Sequence, residues 1–573
     1  MKAEEVIKQI AEVENLDERS ISKLLVQKSG SFSKSELLRE YHNLIEHNQI
    51  KLTTKQHANF LNNITMKKIR TLSGVTTVTV LTKPFPCPGK CIFCPNDVRM
   101  PKSYLSSEPG AQRAETNKFD PYLQTFNRLV AYKNIGHPTD KIELIILGGT
   151  WTFYPDEYQI WFVKRCFDAL NEFNSLNKKT AFIDSDKTDM PYSEKLMQTI
   201  DGRTFDKTYN QVISSATKSQ RLSTQEKATW KSLFDAHNLN ERSRSKCVGL
   251  VIETRPDEIT QDELIRIRKL GATKIQIGIQ SLNDKVLSLN KRGHDSDQTR
   301  KAINLIRQAG FKIHIHWMPN LYGSDVKLDK LDYLKLFNDL SIKPDEIKIY
   351  PCSLIESAEL MQMYLQKKWK PYTQNQLADI MVHSLKETPR YCRITRVIRD
   401  IPSTDIVAGN KKTNFRQIAE EKAKKLGITL LDIHSREIRS QEVSIKNDLK
   451  LKIMRYLTKV SVEYFIEYVT SEDKIAGFVR LNIPLEESFI PELKNSAIIR
   501  EVHVYGKSTE VGGKLTKGAQ HKGIGKNLIS IAELLTYENG FKKLSVISAI
   551  GTKEYYRKLG YIDGRLYQSK KLV

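Results

Sequence analysis

The chain has 573 residues, 39% hydrophobic content and a formal net charge of +24. This length exceeds what a single core supports, so we expect two or three folded domains. The acidic, amphipathic start MKAEEVIKQI and the lack of a bilayer-length apolar run argue against export and membrane insertion and favour a cytoplasmic protein. Seven cysteines, an odd number, suit a reducing compartment better than a disulfide framework. The excess of positive charge predicts a polyanionic partner.

Residues 1–75 are predicted to form a helical, basic segment whose role is contact rather than chemistry. Ser33 followed by Glu36 before an apolar run is the pattern of a helix capping box. Residues 47–96 contain seven Lys or Arg and no Asp or Glu. We expect phosphate contacts here, with a solvated helix face as the alternative, from Lys51, Lys55, Lys67, Lys68 and Arg70.

A cysteine loop follows the first predicted strand, residues 76–81, and reads KPFPCPGKCIFCPND. Cys87, Cys91 and Cys94 are three soft ligands on one tight loop, which indicates an iron–sulfur cluster or zinc. A zinc loop would normally add a Cys or His at short spacing, and residues 95–136 contain neither. Three ligands on a four-iron cubane would leave one iron open for a small molecule. Three buried thiols in a proline-rich turn are the alternative.

Alternating strands and helices over residues 76–366 predict an α/β partial barrel of six parallel strands. Later strands are expected at 142–147, 248–252, 274–279, 312–318 and 346–350, and residues 174–246 are predicted to be a polar insertion. Ligands of such sheets bind at the carboxyl ends of the strands. We therefore expect one cavity lined by the polar and glycine residues that follow the strands, namely Gly148, Gly149, Thr150, Glu253, Arg255 and Gln280. Surface salt bridging is the alternative for Glu253 and Arg255.

Residues 367–449 are predicted to be a basic linker region that binds nucleic acid. Residues 367–416 hold eleven Lys or Arg against four acids, interleaved with aromatic residues suited to base stacking. Arg393, Arg396 and Arg399 recur every three residues and form a predicted cationic row, with a solvated linker as the alternative. Cys352, Cys392 and His434 are candidates for a structural zinc site, which three scattered residues do not establish.

Residues 450–573 are predicted to form an α+β domain with a hairpin over 460–483 and a further strand over 497–505. A glycine loop, QHKGIG, then leads into a helix over 526–538. Free backbone amides and the helix dipole would bind one anionic group there.

Each of the two motifs resembles that of a known enzyme class. The cysteine loop resembles that of the radical S-adenosylmethionine (SAM) enzymes, whose open iron binds SAM and whose glycine turn holds the SAM amino group. The glycine loop, placed before LSVISAI and EYYRKLGY, resembles the pyrophosphate loop of GNAT acetyltransferases. Together with IRTLSGV, FDPY, ETRPD, RDIP and REVHVYG, the pair resembles the catalytic subunit family of Elongator over residues 65–173 and 246–573.

This resemblance implies a [4Fe-4S] cluster on Cys87, Cys91 and Cys94, with SAM and acetyl-CoA as the other cofactors. By the resemblance, Tyr555 and Tyr556 lie at the acetyl thioester, and acetyl-CoA contacts Lys141, Glu501, Val502, His503, Val504, Gln520, Lys522, Gly523, Ile524, Gly525, Lys526 and Tyr556. The chain departs from the family in its longer insertion and in lacking the extra cysteines that some relatives carry around His434.

The implied activity is formation of a carboxymethyl group on carbon 5 of the wobble uridine of tRNA. The implied partners are the tRNA anticodon stem-loop and an external electron donor, with accessory subunits or a homo-oligomer left open. One alternative is a protein lysine acetyltransferase with a structural cluster. The other is a non-catalytic tRNA-binding scaffold.

Overall fold

A computed structural model describes residues 3–27, 30–31, 33–66, 74–173, 208–219, 226–438, 448–505 and 523–572. None of the helices in these ranges combines the length and the apolar character that crossing a bilayer requires.

The N-terminal segment is a small helical unit with its own hydrophobic core. Its elements are α1 (Ala3–Glu12), α2 (Glu18–Leu25), β1 (Val26–Gln27), β2 (Gly30–Ser31), α3 (Lys34–Glu46) and α4 (Thr54–Ile64). The predicted capping box is confirmed, because the Ser33 side chain accepts from the Glu36 amide and the Glu36 carboxylate accepts from the Ser33 amide. The buried core of this unit includes Ile10, Leu38 and Phe60.

The second unit is a half-barrel of seven parallel strands in the order β10-β8-β7-β6-β5-β4-β3. The six predicted strands are present as β3 (Thr76–Leu81), β4 (Lys141–Leu147), β5 (Lys246–Thr254), β6 (Lys274–Gln280), β7 (Lys312–Trp317) and β8 (Glu346–Ile349). A separate short pair consists of β9 (Leu354–Ile355) and β11 (Ile406–Ala408). The seventh barrel strand, β10 (Arg393–Val397), comes from the segment predicted to be a linker, so that segment completes the barrel instead.

Most of the helices cover the outer face of the half-barrel, where the apolar side chains of the strands point, whereas the helix Tyr209–Ser219 contacts the cysteine loop through Asn210 and the Cys87 backbone. Before β6 they are α5 (Pro109–Thr116), α6 (Pro121–Asn134), α7 (Asp156–Glu172), α8 (Tyr209–Ser219), α9 (Trp230–Asn240) and α10 (Gln261–Lys269). The later ones are α11 (Asp284–Leu289), α12 (Ser296–Gln308), α13 (Val326–Asn338), α14 (Leu360–Leu365), α15 (Gln374–Glu387), α16 (Phe415–Lys425) and α17 (Ile433–Arg436). Two of these, α8 and α9, lie in the predicted insertion.

The C-terminal unit is an α+β domain on a second sheet of seven strands, ordered β12-β13-β14-β15-β16-β18-β17. Its elements are β12 (Lys450–Leu457), β13 (Ser461–Val469), β14 (Ile475–Pro484), β15 (Ala497–Val504), α18 (Ile524–Glu538), β16 (Lys543–Val546), α19 (Lys553–Arg557), β17 (Ile562–Asp563) and β18 (Gln568–Lys571). The predicted hairpin is confirmed as β13 and β14, which pair antiparallel.

A buried ionic cluster joins the C-terminal unit to the half-barrel. Arg500 on β15 donates to Asp345 at 2.6 and 2.8 Å and to Glu463 at 2.9 Å. Arg480 lies 3.4 Å from Asp345, and Arg307 lies 3.5 Å from Glu463. Because Asp345 immediately precedes β8, the C-terminal unit packs on the amino-terminal end of the barrel, opposite the end that carries the cysteine loop.

Candidate active sites

The three cysteines of the loop line one cavity of about 190 Å³ at the carboxyl ends of the barrel strands. Cys87 and Cys91 are buried, and Cys94 is partly buried. The Cys87 sulfur lies 3.6 Å from the hydroxyl of Thr150, directly after the glycine turn. We call this space the cysteine cavity.

Two arginines make the cysteine cavity suitable for a thiolate. Arg292 Nη1 lies 3.1 Å from the Cys91 sulfur, and Arg255 Nη1 lies 3.7 Å from it. A hydrogen bond with Cys94, reinforced by these cations against the effect of burial, holds the pKa of Cys91 well below its usual value. Thiolates next to fixed cations are the ligand form that an iron–sulfur cluster needs, so the donor set fits one.

The three candidate zinc ligands are not brought together in the described part of the chain. No three His, Cys, Asp or Glu side chains there lie close enough together to hold one metal ion. Cys352 lines the cysteine cavity, whereas Cys392 is packed in the main hydrophobic core. His434 lies 3.8 Å from Glu437.

The glycine turn after β4 brings the backbone close to the cysteine loop. Gly148 has φ of +131°, and a Cβ there would overlap the side chain of Thr82. Gly149 and Thr150 line the cavity itself. Only glycine satisfies the backbone angle and the close approach at position 148 together.

Polar residues at the ends of β5 and β6 complete the wall of the cavity. Glu253, Arg255 and Gln280 all line it, as the strand ends predicted. Gln280 has φ of +66°, a strained value for a non-glycine residue, and its buried Oε1 has no hydrogen-bond partner in the described structure. An unpaired polar atom in a strained residue at a cavity indicates a place for a ligand.

Several cavity residues were missed by the sequence analysis. Lys348 lies in the cavity wall, and burial lowers its pKa to about 8. The sequence could have indicated this position, because alternation along β8 puts Lys348 on the same face of the sheet as Tyr350. Arg292 lies in a loop before α12, and nothing in its local sequence connects it with Cys91.

The predicted arginine row is divided between two places. Arg396 and Arg399 line the cysteine cavity, where Arg399 pairs with Glu108 at 2.6 Å. Arg393, at the start of β10, pairs with Glu437 at 2.7 Å instead. The three residues therefore do not form one surface row.

Of the N-terminal phosphate candidates, Lys51 and Lys55 are exposed, and the remaining three, which lie outside the described residues, are Lys67, Lys68 and Arg70.

A second candidate site lies where β15 and β16 diverge. These parallel strands are paired only over Ala497–Ile499, so the end of β15, residues 501–504, is not paired with β16. Gly523 precedes α18 with φ of +77°, and Gly525 lies in its first turn. We call this space the glycine cleft. The expected acetyl-CoA residues that the structure describes lie at the end of β15 and at the start of α18, namely Glu501, Val502, His503, Val504, Gly523, Ile524, Gly525 and Lys526. Gln520 and Lys522 fall outside the described residues.

Tyr555 of the predicted tyrosine pair lies at the start of α18, whereas Lys141 lies on the half-barrel. A Cβ on Gly525 would be 2.9 Å from the Tyr555 hydroxyl, so Tyr555 closes over the start of α18. Tyr556 is buried behind it. Lys141 begins β4 beside Lys246, and Lys246 touches Gly551 of the C-terminal unit. Lys141 therefore lies at the barrel end that faces this unit.

Comparison with known proteins decides the family. The Radical SAM superfamily model matches residues 226–327, and the Radical_SAM C-terminal domain model matches residues 344–425. A tRNA uridine(34) acetyltransferase of Methanocaldococcus infernus is 34% identical over 99% of this chain and 98% of its own length. The chain belongs to the Elongator complex protein 3 family.

Other members of the Elongator complex protein 3 family are similarly related. The Drosophila melanogaster protein named Elongator complex protein 3 is 32% identical over 88% of this chain and 85% of its own length. The solved structure of archaeal Methanocaldococcus infernus Elp3 with an N-terminal deletion aligns with a TM-score of 0.67 at 32% identity. It covers 87% of this chain and 100% of that chain. The half-barrel is therefore a radical SAM domain, as the cysteine loop predicted.

Proposed function

We propose that this protein is a tRNA-modifying enzyme that attaches a carboxymethyl group, derived from acetyl-CoA, to carbon 5 of the wobble uridine. The observation that carries the proposal is the presence of two sites, the cysteine cavity and the glycine cleft, in one chain of this family. Relatives that are similar along nearly the whole chain are named tRNA uridine(34) acetyltransferase, which supports the substrate.

Cys87, Cys91 and Cys94 would hold a [4Fe-4S] cluster, and the glycine turn with Thr150 would hold SAM beside it. When bound, these cofactors supply reductive cleavage of SAM and the abstraction of a hydrogen atom from a methyl group. Cys87 and Cys91 are buried, which would limit the contact of this chemistry with bulk water. The hydrogen bond with Cys94, together with Arg292 and Arg255, lowers the pKa of Cys91, which favours the thiolate that a cluster would need.

The glycine cleft would bind acetyl-CoA through its pyrophosphate. Gly523 adopts the left-handed conformation and, having no side chain, does not itself cap α18, which suits the binding of an anion by the first amides of the helix. Tyr555 would lie beside the acetyl end, at the first turn of α18.

The tRNA would contact the exposed Lys51 and Lys55, and the uridine would enter the cysteine cavity. Arg396 and Arg399 line that cavity and would face the polar edge of the base. An external electron donor is also required by the proposed chemistry.

The test is anaerobic incubation of the purified protein with tRNA, SAM, acetyl-CoA and a reductant, followed by mass spectrometry of the nucleosides. We expect 5-carboxymethyluridine from the wild type and none from Cys91→Ala. Transfer of acetyl groups to a lysine peptide at a rate that tRNA does not change would instead support a protein acetyltransferase. Formation of neither modified uridine nor free CoA would support a scaffold.

A further inference from the structure

The first half of the cysteine loop is poor in backbone hydrogen-bond donors. Its sequence, KPFPCPG, contains Pro84, Pro86 and Pro88, so that Cys87 has a proline on each side. Proline has no N–H and a fixed φ, so this stretch is unsuited to a helix and to a continuous ladder with a neighbouring strand. The buried backbone groups that remain, including those of Cys87, must therefore be paired by another segment of the chain.

Helix α8, in the polar insertion, pairs with both backbone groups of Cys87. The Cys87 N–H donates to Asn210 Oδ1 at 3.0 Å, and Asn210 Nδ2 donates to the Cys87 carbonyl at 2.6 Å. One side-chain amide thus does for Cys87 what a neighbouring β-strand does for a residue of a sheet. The two residues are 123 positions apart in the sequence, so the pattern of the cysteine loop alone does not specify this contact.

Two further contacts connect the insertion to the cysteine loop. Just beyond the loop, the Tyr209 hydroxyl donates to the Met100 carbonyl at 2.9 Å. At the start of the loop, Lys83 pairs with Glu226, and both side chains are more than nine-tenths buried. We call Tyr209, Asn210 and Glu226 the insertion brace. The brace contacts this part of the chain before, at and after the first cysteine.

The second half of the loop is held by the half-barrel instead. The Ile92 N–H donates to the Asn290 carbonyl at 3.3 Å. Asn96 donates to Ser357 through both its backbone N–H and its side chain. The second and third cysteines therefore lie in a segment fixed on the barrel, whereas the backbone of the first cysteine is paired with the insertion.

The apolar side of α8 also packs near this loop. Tyr209 and Ile213 form a small buried cluster with Val98, which directly follows the loop, and this cluster is separate from the main hydrophobic core. The opposite side of the helix includes Ser215, which is exposed and donates to a carbonyl of its own helix. Because α8 packs on the loop region rather than on the main core, weakening its contacts should leave the barrel folded.

We propose that the insertion brace positions Cys87 as a cluster ligand, with Asn210 as the positioning residue. This inference rests on the proposed function, because it takes the three cysteines to hold a [4Fe-4S] cluster. A ligand whose backbone moves freely would leave the iron more often and expose it to oxygen, whereas a ligand held by a neighbouring side chain stays oriented. The brace holds the Cys87 peptide in one orientation through both its N–H and its carbonyl.

The first experiment compares Asn210→Ala with Ser215→Ala, a control on the exposed side of the same helix. Each protein is reconstituted anaerobically with iron and sulfide and is then exposed to air while its visible absorbance is followed. We expect Asn210→Ala to lose this absorbance about tenfold faster than the wild type, and Ser215→Ala to match the wild type. Far-UV circular dichroism and thermal unfolding of the cluster-free proteins should be the same for all three.

Two outcomes of this experiment are separate refutations. A folded Asn210→Ala protein that loses its absorbance less than about threefold faster than the wild type would overturn the brace. A wild type that binds no cluster would instead refute the proposed function.

The second experiment places a charge at the same position. Asn210→Asp keeps the volume of the side chain and the acceptor for the Cys87 N–H, but it removes the donor and puts a carboxylate beside Cys87. Negative charge near an iron–sulfur cluster favours the oxidised form, so the midpoint potential in a redox titration followed by EPR should become more negative than in the wild type. Ser215→Asp adds the same charge on the exposed side of α8 and should leave the potential near the wild-type value.

A general loosening of the fold would not distinguish these two carboxylates, whereas a carboxylate held against Cys87 does. Equal potentials in Asn210→Asp and Ser215→Asp would overturn the proposal. If Asn210→Ala does not fold, this comparison decides.

Discussion

Removing Arg500 should destabilise the junction between the half-barrel and the C-terminal unit, and the loss should depend on pH. Arg500 is fully buried, and it donates to two carboxylates that are buried as well, Asp345 and Glu463. Arg500→Met fills a similar volume but leaves both carboxylates short of a cation. Breaking a buried pair in this way costs about 3–5 kcal/mol, a large fraction of the stability of a typical domain.

The loss of stability in Arg500→Met has an upper limit, because a buried carboxylate without a cation can take up a proton. Taking up a proton at pH 7 on a carboxyl whose ordinary pKa is about 3.9 costs roughly 4 kcal/mol, and at pH 5 it costs roughly 1.5 kcal/mol. A buried carboxylate that has lost its cation becomes neutral when it binds a proton. The free-energy cost of leaving each carboxylate unpaired therefore cannot exceed the cost of protonating it. Arg480 and Arg307 remain near the two carboxylates, which favours the lower part of the range.

The direction of the pH dependence of stability follows from the pKa of Asp345. In the wild type, burial opposes its ionisation, but Arg500 and Arg480 outweigh burial and hold this pKa well below its ordinary value. Asp345 therefore stabilises the wild type above the unfolded pKa of about 4, and that contribution is lost as the pH falls through the lower folded pKa. In Arg500→Met the pKa rises instead, so the cost grows as the pH increases above 4.

The assay is urea unfolding of the full chain, followed by far-UV circular dichroism at pH 5 and pH 7. We expect Arg500→Met to lose about 3 kcal/mol at pH 7 and to recover up to about 2–3 kcal/mol of that loss at pH 5. Arg455→Met, on the exposed strand β12, is the matched control and should stay within about 0.5 kcal/mol of the wild type. A loss below 1 kcal/mol at pH 7, or an equal loss at both pH values, would refute the reasoning.

Four further predictions address the two sites and the RNA. Cys91→Ala removes a cluster ligand, so the visible absorbance of the anaerobically reconstituted protein should fall to background, and an unchanged spectrum would contradict the cluster. Gly148→Val places a branched side chain against Thr82 at φ of +131°, so SAM affinity in equilibrium dialysis should fall at least tenfold; retained affinity would exclude the turn from the site. Gly523→Glu places a carboxylate at the start of α18 and a side chain at φ of +77°, so it should abolish acetyl-CoA binding through charge repulsion and backbone strain while the cluster absorbance survives. Gly523→Asn, which tolerates this backbone angle, is its control. Replacing both Lys51 and Lys55 with Ala should make the log–log salt dependence of tRNA binding shallower by up to about 2, and an unchanged slope would indicate a solvated face.

Local patterns were sufficient to predict most elements of the fold. The β-branched runs at 76–81 and 142–147 became adjacent parallel strands, and the Ser33–Glu36 pair became a helix cap. Each of these signals lies within a few residues and does not depend on the rest of the chain. The strand-end residues Glu253 and Gln280 could be placed for a similar reason, because parallel strands end at the same edge of a sheet.

What could not be predicted depends on contacts between distant segments. Arg292 reaches the Cys91 sulfur from a loop about two hundred residues later in the chain. The strand Arg393–Val397 was not recognised in the sequence, because its arginines make it look like a charged linker. Arg396 lines the cysteine cavity and Arg393 pairs with Glu437, so the strand lacks the apolar alternation of an ordinary strand. The same charges suggested a surface for RNA, whereas Arg393 pairs with Glu437.

The ionic junction between the half-barrel and the C-terminal unit also limits how this chain can be divided. A cut between residues 438 and 448 would separate Asp345 and Arg307 from Glu463, Arg480 and Arg500. Each fragment would then expose its side of the junction to solvent. The charges there would lack their partners, and the apolar residues around them would no longer be buried. Expression of either half alone should give protein that aggregates, and mixing two separately made halves should not restore the enzyme. The two units follow one another in the sequence, but the buried junction makes them one folding unit.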